Sequence, residues 1–277
     1  MLAAAAGAIQ VTVRPSATRG ASRNAWLNSS HTFSFASYSD SKHEHLHSLR
    51  VINEDRVKGG NGFGRHGHSN FEIFSYIVSG SLRHNDSLGH EEVLPRGSVQ
   101  MTSAGSGISH SESNASADEL CHFIQIWVTP NTRGLKPAYA TKKFNDKDKT
   151  GQLRCIVSKN GDNGSIKVHQ DMEAYASILP PDSSVTSTVR PGRELYIHLI
   201  QDVKTFDTEH NRTALTITDA AGKATTIAGG DGVTITHTKD EKGAAPQTFT
   251  LTGAGKDGAI AEFLLFDLAQ ENGKGKK

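Results

Sequence analysis

The chain has 277 residues, 35% of them hydrophobic and 27 of them glycine, with 30 Lys and Arg against 29 Asp and Glu for a formal net charge of +1. That length suffices for two domains of ordinary size, each able to bury its own core, and the composition is that of a folded globular protein rather than a disordered or membranous one. With positive and negative charge nearly equal there is no field to hold a polyanion, so nucleic acid is not expected as a direct partner, and a membrane is not expected either.

The opening segment from Met1 to Ile9 is apolar but lacks a basic n-region and is too short to span a bilayer, so it is not read as a signal peptide. As far as Tyr38 there is no acidic residue, and Arg14, Arg19 and Arg23 give a faint transit-peptide composition. Thr32-Phe33-Ser34-Phe35 already alternates like a strand, so this stretch is expected to enter the first folded domain. Further strands are predicted at 48–53, 72–78, 123–128 and 153–157, and short helices at 171–179 and 202–206. The pattern breaks at Thr129-Pro130-Asn131, and the charged segment 142–150 is expected to be a solvated linker. Strand-like runs resume at 195–200, 214–218, 232–236, 248–252 and 261–268, with Ala220-Ala221-Gly222 and Gly229-Gly230-Asp231-Gly232 as turns. The last residues, 271–277, are glycine and lysine rich and are expected to form a frayed, basic tail. An all-β chain of two barrels follows, divided into 1–137 and 138–277.

Two cysteines, Cys121 and Cys155, lie far apart and outside any CxxC pattern, which predicts neither a disulfide framework nor a thiolate metal site and fits a reducing, intracellular compartment. The chemistry is expected from two tripeptides, His66-Gly67-His68 and His110-Ser111-Glu112. Side chains at i and i+2 of a strand share a face, about 6.6 Å apart. Two such strands facing each other inside a barrel bring four ligands to one point. Three imidazoles and a carboxylate suit Fe(II), Mn(II), Ni(II) or Zn(II) and leave coordination positions open for a substrate or O2. Glu72 is the reserve carboxylate, since a turn at Ser69-Asn70 would bring it back toward the metal; otherwise it is expected to hydrogen-bond a ligand histidine. His198 and His237 stand alone in the second half and are read as structural, which leaves the second barrel metal-free. His43, His45 and His47 are read as an exposed histidine-rich loop, and Phe33, Phe35 and Phe63 as core first and pocket wall second.

The run Gly62-Phe63-Gly64-Arg65-His66-Gly67-His68, then Glu72, Gly80 and 103–112, resembles the pirin family of two-domain cupins. The likeness extends to Trp26-Leu27, to 31–35, to 49–55 and to 167–171, and so covers most of residues 14–180. Within the family the chain looks more like the bacterial-type members that act as quercetin 2,3-dioxygenases than like the nuclear pirins of animals. The resemblance implies a bicupin fold and one divalent metal ion, Fe(II) first, with Mn, Ni, Cu or Zn as alternatives. It implies that His66, His68, His110 and Glu112 hold the metal, that Glu112 also acts as a catalytic base, and that a flavonol-like substrate is cleaved with O2. Cytoplasmic location accompanies that activity, and the sequence has no nuclear-import cluster. The animal members imply a different role, an iron-sensing transcriptional co-regulator with a protein partner in the nucleus, and a bicupin in which the metal is purely structural is a third. One departure is Gly67, where family members commonly have proline.

Overall fold

The structure is a computed structural model that describes residues 9–202, 205–207, 211–238 and 244–270. Strands dominate it, and the helical pieces among those residues are single 3-10 turns such as Ser16–Thr18 and Asp146–Asp148. The strands build two units, each with one seven-stranded and one four-stranded sheet. In the first unit the four-stranded sheet runs Gly62–His68, Ile108–Asn114, Ser81–Asp86, Glu91–Pro95. Its companion runs Ala138–Lys143, Ser98–Ser103, Glu72–Ser79, Cys121–Val128, Leu49–Val57, Leu27–His31, Gly20–Arg23. The second unit repeats the plan, and its pairings are antiparallel apart from the short parallel pair Arg154–Ser158 with Ile166–Lys167. Among the described residues no helix is long and apolar enough to cross a membrane.

The two seven-stranded sheets face each other across one apolar seam, which contains Phe74, Tyr76, Ile124 and Ile126 from the first unit and Ala174, Ala176, Leu264 and Phe266 from the second. Period-2 alternation sends the other residues of the same strands inward. Ile77 and Phe123 pack with Leu82 and Leu94 in the first barrel, while Phe263 and Leu265 join the core of the second. A strand buried on both faces loses the apolar-polar alternation of a surface strand, which is why 72–78 reads as an almost continuous apolar run. Phe266 is fully buried in the seam, so Phe266→Ala should cost about 3–5 kcal/mol.

Several local expectations change. Strand pairing crosses the expected division at 137/138 twice: Ile9–Arg14 pairs with Gly232–His237 in the second unit, and Ala138–Lys143 pairs with Ser98–Ser103 in the first. The segment 142–150 is not a solvated linker throughout, because Lys149 is fully buried and donates to the Tyr76 hydroxyl at 2.7 Å. The predicted helix 171–179 is the strand Met172–Leu179, paired with Ala261–Ala269 on one side and Arg154–Ser158 on the other. Its Met, Glu and Ala residues favour helix locally, but two strand partners and burial in the seam outweigh that preference. Around the other predicted helix, Asp202 and 205–207 are irregular, while 203 and 204 lie outside the described residues. The strand expected at 32–35 ends sooner, as Leu27–His31, and Phe35 instead bridges Tyr38 in a tight turn. The opening residues 1–8 and the tail 271–277 also lie outside the described residues.

Candidate metal centre

Gly62–His68 and Ile108–Asn114 are antiparallel neighbours in one sheet, with His110 opposite His66 and Ile108 opposite His68. The two dyads therefore sit side by side rather than facing each other across the barrel. Alternation puts His66 and His68 on one face, and the pairing brings His110 between them. The Nε2 atom of His110 lies 3.0 Å from Nε2 of His68 and 3.2 Å from Nε2 of His66. Ligand atoms about 2.1 Å from one ion and at right angles to each other would be about 3.0 Å apart, so these two spacings suit His110 next to His68 and next to His66 around a divalent cation. His66 donates Nδ1–H to the Gly64 carbonyl at 2.7 Å, which leaves its Nε2 lone pair free for a metal.

The cluster spans the barrel mouth, from exposed His66 to His110, which is 1% exposed. Without an ion, burial and the neighbouring His66 bring His68 down to about 4. Burial, followed by His68 and His66, brings His110 down to about 3. Both are thus neutral at physiological pH, as metal binding requires.

Glu112 lies deeper, 1% exposed, beyond a bulge between His110 and Glu112. Its oxygens accept from the side-chain amides of Gln100, in a very short contact, and of Gln125 at 2.9 Å. Burial, aided by the charge of Asp55, pushes its carboxyl up to about 7 although those amides oppose the shift. The structure brings His66, His68 and His110 together as one group with ligand atoms within 4.8 Å of one another, and places Glu112 in a second such group with His84 and His110. His110 belongs to both.

Glu72 is turned away from this site. Fully buried, it accepts from Ser103 at 3.0 Å and from Nδ1 of His169 at 3.1 Å, so it ties the first barrel to the second and holds none of the three imidazoles. His43 pairs with Asp40 at 2.7 Å and His47 with Glu194 at 2.6 Å, and neither belongs to a metal-binding group among the described residues. In the second barrel His198 hydrogen-bonds Glu54 at 3.2 Å and His237 the Ala245 carbonyl at 2.9 Å.

Of the three phenylalanines considered as walls, Phe35 joins the aromatic group beside His68. Phe33 packs in the seam against Tyr196 and Phe63 against Trp26. The wall is built around Trp127, whose ring lies 4.9 Å from His68, 5.6 Å from Phe35 and 5.2 Å from Phe71. Trp127 is the penultimate residue of the strand Cys121–Val128 and has its inward parity, a position that alternation alone identifies. The two dyads leave out His84, although His84-Asn85-Asp86 has the same i, i+2 spacing. A cavity of about 620 Å³ lies elsewhere, between the two units, with Arg96, His122 and Glu262 in its lining and none of the imidazole cluster.

Comparison with known proteins gives the same assignment from both halves of the chain. The family described as Pirin matches residues 12–128, and the family described as Quercetinase C-terminal cupin domain matches residues 155–268. A protein of Escherichia coli K12 named quercetin 2,3-dioxygenase is 39% identical over 191 residues, 69% of this chain and 81% of that protein. The structure of the bacterial pirin YhhW of E. coli in complex with nickel(II) superposes with a TM-score of 0.77 at 32% identity, covering 95% of this chain and 100% of that one. A quercetin 2,3-dioxygenase of Acinetobacter baumannii shares the fold at 17% identity, with a TM-score of 0.65 over 87% of this chain and 80% of its own.

Proposed function

This chain belongs to the pirin family, and from that premise we propose that it is a metal-dependent dioxygenase that cleaves flavonol-like substrates such as quercetin with O2. The observation that carries the proposal is the convergence of three imidazole Nε2 atoms at 3.0 and 3.2 Å at an open barrel mouth. We assign the ion to His66, His68 and His110, with Glu112 as the fourth ligand, and Fe(II) as its identity, while the nickel(II) bound by the E. coli pirin is a property of that protein. When bound, such an ion supplies Lewis acidity toward an enol oxygen and vacant positions for reactants.

The remaining work falls to the protein. The ring of Trp127, with Phe35 edge-on to it and Phe71 tilted against it, offers an apolar wall beside His68 against which a planar aromatic substrate packs. Glu112 takes the proton of the substrate hydroxyl, a role suited to a carboxyl that burial brings to about 7. Its amide partners Gln100 and Gln125 hold it in place for that transfer. We propose the cytoplasm as the place of the reaction. The test is metal analysis of anaerobically purified protein, coupled to O2 uptake against a small panel of flavonols. Uptake that scales with metal loading supports the proposal, and metal-loaded protein that consumes no O2 with any flavonol rejects it.

A further inference from the structure

His84 lies at the centre of Ser81–Asp86, directly opposite Glu112 in the sheet, and is fully buried. Its ring stacks on Tyr139 with centroids 4.4 Å apart and planes 14° apart, so its plane is fixed. Nε2 of His84 lies 3.2 Å from the Asp86 carboxylate. That carboxylate also accepts from the backbone N–H groups of Leu88 at 2.8 Å and His90 at 3.0 Å, so it is held as an acceptor. His84 must then carry its proton on Nε2, which leaves Nδ1 as a bare lone pair.

Two buried ring nitrogens near the metal group have no partner: Nδ1 of His84 and Nδ1 of His110. Once Nε2 of His110 binds an ion, a neutral His110 carries its proton on Nδ1, and a buried N–H needs an acceptor. Glu112 already accepts from Gln100 and Gln125. The nitrogen with nothing else to do is Nδ1 of His84, and ligand atoms of His84 and His110 lie within 4.8 Å of each other.

We infer that His84 is a positioning residue for the metal centre: its Nδ1 accepts the Nδ1–H of metal-bound His110, completing a chain from Asp86 through His84 to His110 that fixes which nitrogen of His110 faces the ion. The rings stand 5.4 Å apart and 67° to each other, so with the His84 plane held by Tyr139 the bond closes by a small rotation of the His110 ring or through one water. This inference rests on His110 being a ligand.

The test uses full-length protein titrated with Co(II) alone. His84→Phe keeps a flat ring against Tyr139 but removes both nitrogens, and should weaken Co(II) binding about 10- to 100-fold and shift the visible d–d spectrum. His84→Asn returns an acceptor at the place of Nδ1 and should recover part of the affinity. Wild-type affinity and an unchanged spectrum in His84→Phe overturn the inference. Independently of how that variant folds, nitrogen-15 NMR of the wild-type Zn(II) protein provides a second reading: His84 protonated on Nε2 with a bare Nδ1 supports the inference, and His84 protonated on Nδ1 overturns it. His110→Ala, titrated in parallel, separates the two ideas. If it binds Co(II) as wild type does, the ligand assignment fails, whereas if it loses the metal and His84→Phe does not, only the role of His84 fails.

Discussion

Gln125 donates its side-chain amide to the Glu112 carboxylate at 2.9 Å, and does so from the same inward parity of Cys121–Val128 that presents Trp127 to His68. Ser75 completes the arrangement by donating its hydroxyl to the Gln125 carbonyl at 2.6 Å. The acidic group of the site is therefore oriented by neutral amides, with no cation paired to it in these contacts. Glu112→Gln keeps the shape and removes the proton acceptor. It should lower turnover by about 100-fold or more while most of the metal is retained, checked by metal content and O2 uptake on the same sample. Parallel loss of both would make Glu112 a ligand alone.

Glu54 is a polar tie between the units. It is fully buried and accepts from Arg19 at 3.2 Å, Arg56 at 3.3 Å and His122 at 3.1 Å, and from His198 and the Gln201 backbone of the second unit at 3.2 and 2.9 Å. Glu54→Ala would leave two buried guanidinium groups without their counter-charge and should cost about 3–5 kcal/mol, read as a lower urea midpoint. A midpoint equal to that of wild type would show that the cluster contributes nothing to holding the barrels.

The same cluster predicts a pH effect. Burial, with the nearby charge of Arg56, lowers His122 from 6.5 to about 4. The unfolded chain therefore binds this proton first, and the contribution of His122 to stability falls as pH drops from 6.5 toward 4. Asp55 acts in the opposite sense, because burial raises it to about 7 and its contribution is lost as pH rises. The wild type alone mixes these effects, so the comparison is with His122→Gln. Its urea midpoint should fall less steeply than that of wild type between pH 6.5 and 4, and parallel curves would contradict the assignment.

Gly67 sits between two ligand histidines, yet a Cβ there would meet nothing nearer than the Ile108 carbonyl at 3.8 Å, an ordinary contact. Its backbone does not need glycine. Gly67→Ala should raise stability by about 0.4–1 kcal/mol through a less flexible unfolded chain, with metal affinity unchanged or higher. Thermal melting and a metal titration check this, and a weaker metal site would mean that the strand depends on glycine at this point.

Much of the site was legible because a strand has a period of two. His66, His68, His110 and Glu112 stand out at i, i+2 spacing, and the structure brings the three histidines together with Glu112 one residue pair deeper. His84-Asn85-Asp86 has a histidine and a carboxylate at the same spacing, but its place beside the site follows from its pairing with Ile108–Asn114 and not from its own sequence. Other features depend on contacts between distant segments and leave no local mark. Glu72 meets His169, 97 positions away, and Ile9–Arg14 completes a sheet with Gly232–His237. The helix expected at 171–179 failed for a related reason, since local composition favoured helix while two neighbouring strands and the seam imposed extension.

The central claim is that His66, His68 and His110 hold one divalent ion that serves oxygen chemistry on a flavonol. The most direct measurement is O2 uptake with quercetin by anaerobically purified wild type and His110→Ala, normalised to metal content. Wild type should carry about one ion per chain and consume O2 in proportion to it, whereas His110→Ala should lose both together. Metal-free wild-type protein that turns over at the same rate, or His110→Ala with full metal content and full activity, would contradict the account.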